Sequence, residues 1–278
     1  MTRCAFVSDL HGRETRYQAL LRYLCEAQPD ALFLGGDLLP RGADAERFLD
    51  DVLEPALRSA RASADDRTRV FLLLGNDDPA IFEDAARRGE ERGAWIYLHA
   101  RRAQLAGRAV YGYACVPPTP FLLKDWERYD VSRHTDPGCV SPEEGLRTVP
   151  VAANEVRHGT IARDLDQLAG GHDLTGSVWL FHSPPWNSRL DRAALDGMTV
   201  AGVPLDLHVG SIAIRRFLER HAVHLALHGH VHESARLTGA WCDQVGSTTC
   251  LSAAHDGPEL AVVQFDLEAP REAVRSLL

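Results

Sequence analysis

The sequence lacks the features of membrane, fibrous and repeat proteins. In its 278 residues there is no run of about 18 apolar residues, which excludes a transmembrane helix. Its first residues, MTRCAFVSDL, are too few and too polar for a signal peptide, and we interpret them as a first strand. Internal repeats and low-complexity tracts are absent as well. With 45% hydrophobic residues the composition is that of a globular protein, and we expect a cytoplasmic one.

Cysteine is sparse and shows no pairing motif. A disulfide scaffold is short and dense in cysteine, and this sequence is neither, so that class is excluded. We expect reduced thiols, most of them buried. The six cysteines are Cys4, Cys25, Cys115, Cys139, Cys242 and Cys250.

Positive charge is in the minority. The 39 acidic residues outnumber the 30 basic ones, which gives a net charge of −9, and Lys124 is the single lysine. A broad nucleic-acid-binding face needs basic residues that neutralise phosphates, so we do not expect nucleic acid as a partner. A local site for a small phosphorylated substrate is compatible with this charge.

The sequence does contain a recurring pattern, in which a short apolar run ends in polar residues able to carry chemistry. Five runs follow this pattern: CAFV, ALFL, VFLLL, VWLF and HLAL, which begin at residues 4, 31, 70, 178 and 224. Runs of this length without polar alternation suit strands buried on both faces. The helical segments between the first three runs predict parallel β-α-β units.

Apolar spacing and capping residues place the helices. Tyr17, Leu20 and Leu24 share the spacing of one helix face, and Ser211 is a suitable N-cap for a helix before the last run. The stretch from Ala235 to Asp266 indicates short strands with turns instead. We therefore predict an α/β (α+β) fold with a mixed or two-sheet architecture.

The pattern is interrupted between about residues 115 and 171. The prolines of VPPTP prevent a regular element there. Ser141–Glu144 has the features of a helix start with a capping box, and Ile161 and Leu165 predict a second helix. We interpret this region as an insertion over the strand edge within a single domain of residues 1–278.

Polar residues after the five runs form a candidate metal site. Ligands of open α/β sheets bind beyond the carboxyl ends of the strands, so these residues are expected to converge. Carboxylate and neutral imidazole are ligands that Mn²⁺, Fe²⁺ and Zn²⁺ favour. Seven ligands exceed the need of one tetrahedral ion and fit two ions about 3.5–4 Å apart that share a carboxylate. The seven residues are Asp9, His11, Asp37, Asn76, His182, His230 and His232.

Each piece of this set also has a structural interpretation. On its own, Asp9 is consistent with a helix cap, Asp37 with a turn, and Asn76 with an Asx turn. The three histidines between His228 and His232 are the most specific piece. The joint occurrence of all pieces, each at a strand end, favours the metal site.

The order of these motifs resembles the calcineurin-like metallophosphoesterase superfamily. The match consists of Asp-x-His, Gly-Asp, Gly-Asn, His and Gly-His-x-His, between Asp9 and His232. The residues around His182 and His230 are similar to a bacterial and archaeal branch of Icc-related predicted phosphoesterases. The resemblance implies a four-layered αββα sandwich, with two mixed β-sheets flanked by helices and a dinuclear metal site at the carboxyl ends of the strands.

The resemblance also implies a role for each ligand. Two divalent metal ions are expected, with manganese first and iron or zinc as alternatives. A hydroxide between the ions would attack phosphorus without a separate general base. The ligands would be Asp9, His11 and His232 for the first ion, Asn76, His182 and His230 for the second, and Asp37 as the bridge.

One residue departs from the family pattern. The third motif usually continues with a histidine that is thought to protonate the leaving group, and here Asp77 takes its place. An aspartate beside two divalent cations stays ionised, which makes it a poor proton donor at neutral pH. We therefore expect a metal-dependent phosphoesterase that prefers phosphodiesters or activated leaving groups.

Four further residues complete the prediction of the site. Beside Asp77 we single out His208, which precedes a helix N-terminus, as a replacement acid; a surface-loop role is its alternative. Lys124 and Arg128 in the insertion, and Arg13 beside the first motif, are candidate substrate-binding residues.

Three other functions remain open at this point. A phosphomonoesterase would use the same site. A non-catalytic scaffold of the same fold is a second alternative, since the superfamily includes a retromer subunit that binds proteins. A nuclease is the third, and the acidic composition weighs against it.

Overall fold

The computed structural model describes residues 1–62 and 67–278, and two six-stranded β-sheets form its centre. The strands are β1 (Arg3–Val7), β2 (Ala31–Gly35), β3 (Arg69–Leu73), β4 (Ile96–Tyr97), β5 (Arg101–Leu105), β6 (Arg108–Tyr113), β7 (Val178–Phe181), β8 (Thr199–Val200), β9 (Val203–Pro204), β10 (Leu225–His228), β11 (Cys242–Val245), β12 (Thr248–Ser252), β13 (Ala261–Asp266) and β14 (Val274–Leu277).

Helices connect and flank these strands. They are α1 (Glu14–Ala27), α2 (Glu54–Ala62), α3 (Glu83–Glu91), α4 (Ala153–His158), α5 (Ile161–Ala169), α6 (Ile212–His221) and α7 (Ser234–Thr238). A π-helical segment, Phe48–Leu53, leads directly into α2, and short 3₁₀ turns lie at Gly42–Ala45, Ala80–Phe82 and Pro270–Glu272. Within the described ranges, each helix is too short or too polar to cross a membrane.

Both sheets are mixed. The first has the order β14-β13-β1-β2-β3-β4, in which β1 to β4 are parallel and β13 and β14 are antiparallel additions. The second has the order β11-β12-β10-β7-β6-β5, with four parallel central strands and an antiparallel strand at each edge. The predicted α/β architecture of two mixed sheets flanked by helices is confirmed.

The strand cores are buried on both faces, as the unbroken apolar runs predict. Every residue of β2, β7 and β10 is buried. Aromatic side chains fill the interior; the rings of Phe33 and Phe71 stack at 4.9 Å, and those of Tyr111 and Trp179 at 4.4 Å. Burial on both faces leaves the strand ends as the place where polar side chains can gather.

Two local predictions are wrong. Ser141–Glu144 forms a turn instead of a helix start, because the Glu143 carboxylate accepts hydrogen bonds from Tyr129, Arg133 and Arg157. The start of the predicted strand region after Ala235 is α7, which ends at Gly239 with a φ of 70°. In the first segment, side chains from outside the motif bind the carboxylate that a helix start would use differently. In the second, the left-handed backbone of Gly239 ends a short helix before the strands begin.

The predicted insertion is bonded to the elements that carry the candidate site. Trp126 Nε1 donates to the backbone oxygen of Asp78 at 2.6 Å. The Asp130 carboxylate accepts from Ser211 Oγ at 2.6 Å and from the backbone N–H of Ile212 at 2.7 Å, at the start of α6. As predicted, Ser211 caps that helix by accepting from the backbone N–H of Ile214.

Candidate metal centre

Residues from the ends of both sheets meet in one cluster. Asp9 follows β1 and Asp37 follows β2 in the first sheet, whereas His182 follows β7 and His232 follows β10 in the second. Side chains from the two sheets are nevertheless in contact, with Asp9 Oδ1 3.2 Å from His232 Nε2 and Asp37 Oδ2 3.3 Å from His182 Nε2. These four strand-end residues therefore meet at one edge of the sandwich.

The first group of ligand atoms comes from Asp9, His11, Asp37 and His232. One donor atom from each residue lies within 4.8 Å of all the others. The Nε2 atoms of His11 and His232 are 3.2 Å apart, and His11 Nε2 is 3.9 Å from Asp37 Oδ2. Imidazole nitrogens and carboxylate oxygens that point at one spot are the donor set of a borderline divalent ion.

A second group forms on the other side of Asp37. His182 Nε2 lies 3.0 Å from Asn76 Oδ1 and 3.3 Å from Asp37 Oδ2. The ring of His230 is 5.3 Å from that of His182, measured between centroids. Asp37 therefore contacts both groups, which is the position that a bridging carboxylate requires.

Backbone hydrogen bonds fix the orientation of the ligands. His182 Nδ1 donates to the Gly35 carbonyl at 2.8 Å, which turns Nε2 toward the cluster. The backbone N–H of Asp77 donates to Asp37 Oδ1 at 2.8 Å, and that of His230 donates to Asp9 Oδ1 at 3.0 Å. In this orientation Oδ1 of Asp9 faces His232, and Oδ2 of Asp37 faces His182.

The backbone of the cluster is strained. Asp9, His11, Asp37 and His230 have φ values of 58°, 49°, 53° and 74°, in the left-handed region that non-glycine residues rarely adopt. Such conformations cost of order 1–3 kcal/mol each and concentrate at functional sites. Four of the seven predicted ligands have this conformation, which lowers the stability of the fold and is typical of a functional site.

Gly75 has no room for a side chain. A Cβ there would lie 2.2 Å from Asp37 Oδ1 and 2.7 Å from His182 Cε1. The glycine before Asn76 therefore lets the β3 loop approach the bridging carboxylate.

Both buried aspartates are held ionised. Burial by itself would raise the pKa of Asp9, but the hydrogen bond and charge of His232 bring it well below its usual value. Burial likewise opposes ionisation of Asp37, and His182 outweighs it, so that the pKa of Asp37 is also lowered. A carboxylate must be ionised to bind a metal, and both meet this condition.

The histidines divide into two kinds. Burial lowers the pKa of His11, and burial together with His182 lowers the pKa of His230 to about 3, so both are neutral at neutral pH. Burial would lower the pKa of His182 as well, but Asp37 raises it to about 10. A cation beside Asp37 is thus strongly favoured, which is the electrostatic condition for a bound metal ion.

A cavity of about 530 Å³ opens onto the cluster. Its described lining consists of His11, Arg13, Asp37, Arg41, Asn76, Asp77, Phe121, His230, His232 and Glu233. The cavity thus contains two of the residues predicted to act on substrate, Arg13 and Asp77.

The structure corrects the prediction that Lys124 contacts substrate. Its side chain is fully buried. Its ammonium lies 2.5 Å from the Glu127 carboxylate and also donates to the Thr119 carbonyl at 2.9 Å. An ammonium that is fully buried and bonded to these two acceptors does not reach a ligand in the cavity.

Arg128 and His208 also lie outside the cavity lining described above. Arg128 pairs with Asp164 at 2.9 Å. His208 Nδ1 lies 2.8 Å from a carboxylate oxygen of Asp191, which is itself buried. In the structure both side chains therefore bind carboxylates of the fold outside the cavity.

Sequence reasoning missed Asp78 and Arg16, which hold the ligand loops. The buried carboxylate of Asp78 accepts from the backbone N–H groups of Leu39 at 2.8 Å and Gly75 at 2.9 Å, and so joins the loops after β2 and β3. Burial and Asp37 raise the pKa of Asp78 to about 7. Arg16, also buried, donates to the backbone oxygen of Asp9. The only signal in the sequence was the proximity of both residues to a motif.

Comparisons with known proteins identify a family and a shared fold. The family model described as calcineurin-like phosphoesterase matches residues 2–234. Among curated proteins, none matches the sequence significantly. The solved structure of TT1561 from Thermus thermophilus has a TM-score of 0.57 at 14% identity and covers 99% of this chain and 98% of its own. A dimetal phosphatase from Danio rerio has a TM-score of 0.54 at 14% identity, over 99% of this chain and 95% of its own. At these identities the two structures show a shared fold.

Proposed function

This chain belongs to the calcineurin-like phosphoesterase family of metallophosphoesterase hydrolases, and we propose that it hydrolyses phosphate esters with two divalent ions, with phosphodiesters preferred. One observation carries this proposal. A single carboxylate, Asp37, contacts both groups of ligand atoms through Oδ2, 3.9 Å from His11 Nε2 and 3.3 Å from His182 Nε2. A phosphoesterase with two metals requires this shared ligand.

The residues present fit the implied metals. We assign Asp9, His11 and His232 to the first ion, Asn76, His182 and His230 to the second, and Asp37 to both. Mixed oxygen and imidazole ligands are compatible with Mn²⁺, Fe²⁺ and Zn²⁺, and we propose Mn²⁺ first. Bound divalent ions would lower the pKa of water and neutralise charge on the phosphoryl oxygens.

The chain's own residues account for the expected substrate preference. Asp77 stands at the position of the family's proton donor, but its carboxylate pairs with Arg41 at 3.0 Å and lies 3.6 Å from His11 Nδ1. An aspartate engaged as the anion of an ion pair has no proton to give. Leaving groups that depart as stable anions suffer least from this loss, whereas basic alkoxides suffer most.

The test is Mn²⁺-dependent hydrolysis of three esters by the purified protein. We expect bis-p-nitrophenyl phosphate to be cleaved faster than p-nitrophenyl phosphate. Glycerol 2-phosphate, which has a basic leaving group, should be cleaved on the order of 10²-fold more slowly than the aryl monoester, because general acid catalysis contributes about that much. The measurement is kcat/KM for each ester, with Asp37→Asn as the blank. Cleavage of the alkyl monoester faster than the diester contradicts the proposed preference.

His208 provides a second prediction. We expect His208→Gln to change kcat for the aryl diester by less than about twofold across the neutral pH range, since removal of a working general acid costs about 10²-fold or more. The amide of glutamine can still donate to Asp191, so folding is preserved. The measurement is a pH–rate profile of both proteins. Loss of the alkaline limb in the variant would instead identify His208 as the acid that replaces the family histidine.

A further inference from the structure

We propose that Arg41, with Arg13, binds an anionic leaving group, and that the preferred substrates are diesters of diphosphate, in which a phosphate monoester leaves. This inference rests on the proposed phosphoesterase function and names its substrate class. It assigns a positioning role to Asp77, the residue that departs from the family pattern.

The fold brings the two arginines to the lining of the same cavity. Both line the cavity beside the ligand cluster. The backbone N–H of Gly12 donates to the Leu38 carbonyl at 2.9 Å, and a Cβ at Gly12 would lie 2.3 Å from Cα of Pro40. Arg13 and Arg41 directly follow the two ends of this close contact, so their side chains start from adjacent points of a fixed backbone.

Asp77 holds the guanidinium of Arg41 beside the metal ligands. Its carboxylate pairs with Arg41 at 3.0 Å, and its own backbone N–H donates to Asp37 Oδ1 at 2.8 Å. The pair uses one nitrogen of Arg41, whose side chain remains 86% exposed. A guanidinium has five N–H donors in a rigid fork that matches phosphate, so most of its capacity is left for an anion in the cavity.

The chemistry of the site favours a leaving group that is already charged. A site without a proton donor can still expel a phosphate monoester, because that group is a stable anion near neutral pH. Its extra negative charge is what an arginine pair binds, through charge-assisted hydrogen bonds. An alkoxide provides neither advantage, since it needs a proton and offers the arginines a single atom.

The proposed step balances as a hydrolysis. The oxygen of water forms a bond to one phosphorus of the diphosphate, and the bond from that phosphorus to the bridging oxygen breaks. The electron pair stays on the bridging oxygen, which leaves as part of the second phosphate monoester, and the protons of water pass to solvent. The products are two phosphate monoesters.

The test compares two substrates with the same attacked group. P¹,P²-di(thymidine-5′) diphosphate and thymidine 5′-(p-nitrophenyl phosphate) both transfer a thymidylyl group to water, and their leaving groups have similar basicity. The first leaving group is a phosphate monoester and the second is an aryl oxide. With Mn²⁺-loaded protein, we expect the higher kcat/KM for the diphosphate.

Arg41→Met should then separate the two substrates. We expect kcat/KM for the diphosphate to fall on the order of 10²-fold and that for the aryl ester by less than about threefold, because only the first loses an anion contact in the transition state. Calorimetric titration with thymidine 5′-monophosphate should show a Kd raised about tenfold in the variant. Arg47→Met is the matched control, since Arg47 is similarly exposed and pairs with Asp51 instead of a cavity residue. We expect it to leave all three values unchanged.

A double variant distinguishes anion binding from indirect repulsion. Loss of Arg41 also frees the negative charge of Asp77, which would repel an anionic substrate. If repulsion alone caused the defect, Arg41→Met with Asp77→Asn would recover diphosphate cleavage, and recovery would overturn the proposal. Three other results would also overturn the proposal. They are equal losses for both substrates in Arg41→Met, an unchanged Kd for thymidine 5′-monophosphate in that variant, and cleavage of the aryl ester alone by the wild type. Cleavage of neither ester would point to failure of the proposed phosphodiesterase function itself.

Discussion

Asp37→Asn is expected to lower kcat for the aryl diester by at least about 10³-fold, a loss comparable to that of removing a key electrostatic group from an active site. Asp37 is buried, and its Oδ2 contacts both ligand groups, so the substitution removes the only carboxylate placed between His11 and His182 among the described residues. An amide presents one neutral acceptor oxygen and cannot offset the charge of two cations. The measurement is Mn²⁺-dependent hydrolysis of bis-p-nitrophenyl phosphate, with metal content determined on the same samples.

Asp51→Asn is the matched control for this loss. Asp51 is an exposed aspartate whose partner is Arg47, and it does not belong to the described cavity lining. We expect full activity in this variant and two equivalents of metal in the wild type, but fewer in Asp37→Asn. Wild-type-like turnover in Asp37→Asn would contradict the assignment of a bridging ligand. A wild type that holds two metals and cleaves no ester would support the scaffold function instead.

The ligand cluster could be predicted because it depends on strand ends. Asp9, Asp37 and His182 each follow an unbroken apolar run, and parallel strands deliver their carboxyl ends to a shared edge. Both sheets contribute to one cluster because they pack as a sandwich. The family resemblance implied this sandwich, and the structure shows it. Spacing along the chain carries no information about the 3.3 Å contact between Asp37 and His182.

The supporting residues could not be predicted because their partners are distant in sequence. Asp78 accepts from a backbone N–H 39 residues away, at Leu39, and Arg16 donates to the carbonyl of Gly257, 241 residues away. Arg41 has no motif of its own and is placed by the contact between Gly12 and Pro40 and by its ion pair with Asp77. Such residues become visible only when the loops that they join are seen together.

The prediction of a substrate contact for Lys124 is wrong for a different reason. A basic residue in an insertion over the strand edge is consistent with a phosphate contact, but local sequence does not reveal whether its ammonium is exposed. Its partner, Glu127, lies only three residues away, and both side chains are fully buried. The pair is therefore expected to affect stability, not substrate binding.

Lys124→Met is expected to lower the free energy of unfolding by about 3–5 kcal/mol, the usual cost of leaving one member of a buried ion pair without its partner. Methionine fills most of the volume but leaves the carboxylate of Glu127 without its counterion. Glu127 keeps two hydrogen bonds, from the backbone N–H and Oγ1 of Thr119, which limit the loss. The measurement is urea denaturation of both proteins, compared at equal m-values so that the difference reports stability alone.

The pH dependence of this loss identifies its cause. Burial already raises the pKa of Glu127 above its usual value, and Lys124 is the strongest influence that opposes the rise. Without Lys124 the pKa of folded Glu127 rises further, so the penalty is full at pH values above that raised pKa. It shrinks as the pH falls toward the ordinary pKa of glutamate, because a protonated carboxyl carries no unpaired charge. We therefore expect the difference in unfolding free energy between wild type and variant to be smaller in mild acid than at neutral pH.

Two further measurements separate stability from substrate binding. Arg47→Met removes an exposed ion pair and should change the unfolding free energy very little, since such pairs are solvated in both states. At a temperature where Lys124→Met remains folded, its KM for the aryl diester should equal that of the wild type, because a fully buried ammonium touches no substrate. A raised KM with unchanged stability would restore Lys124 as a substrate contact and contradict its burial. A loss of stability with an unchanged KM shows instead that the buried pair of Lys124 and Glu127 stabilises the fold and does not bind substrate.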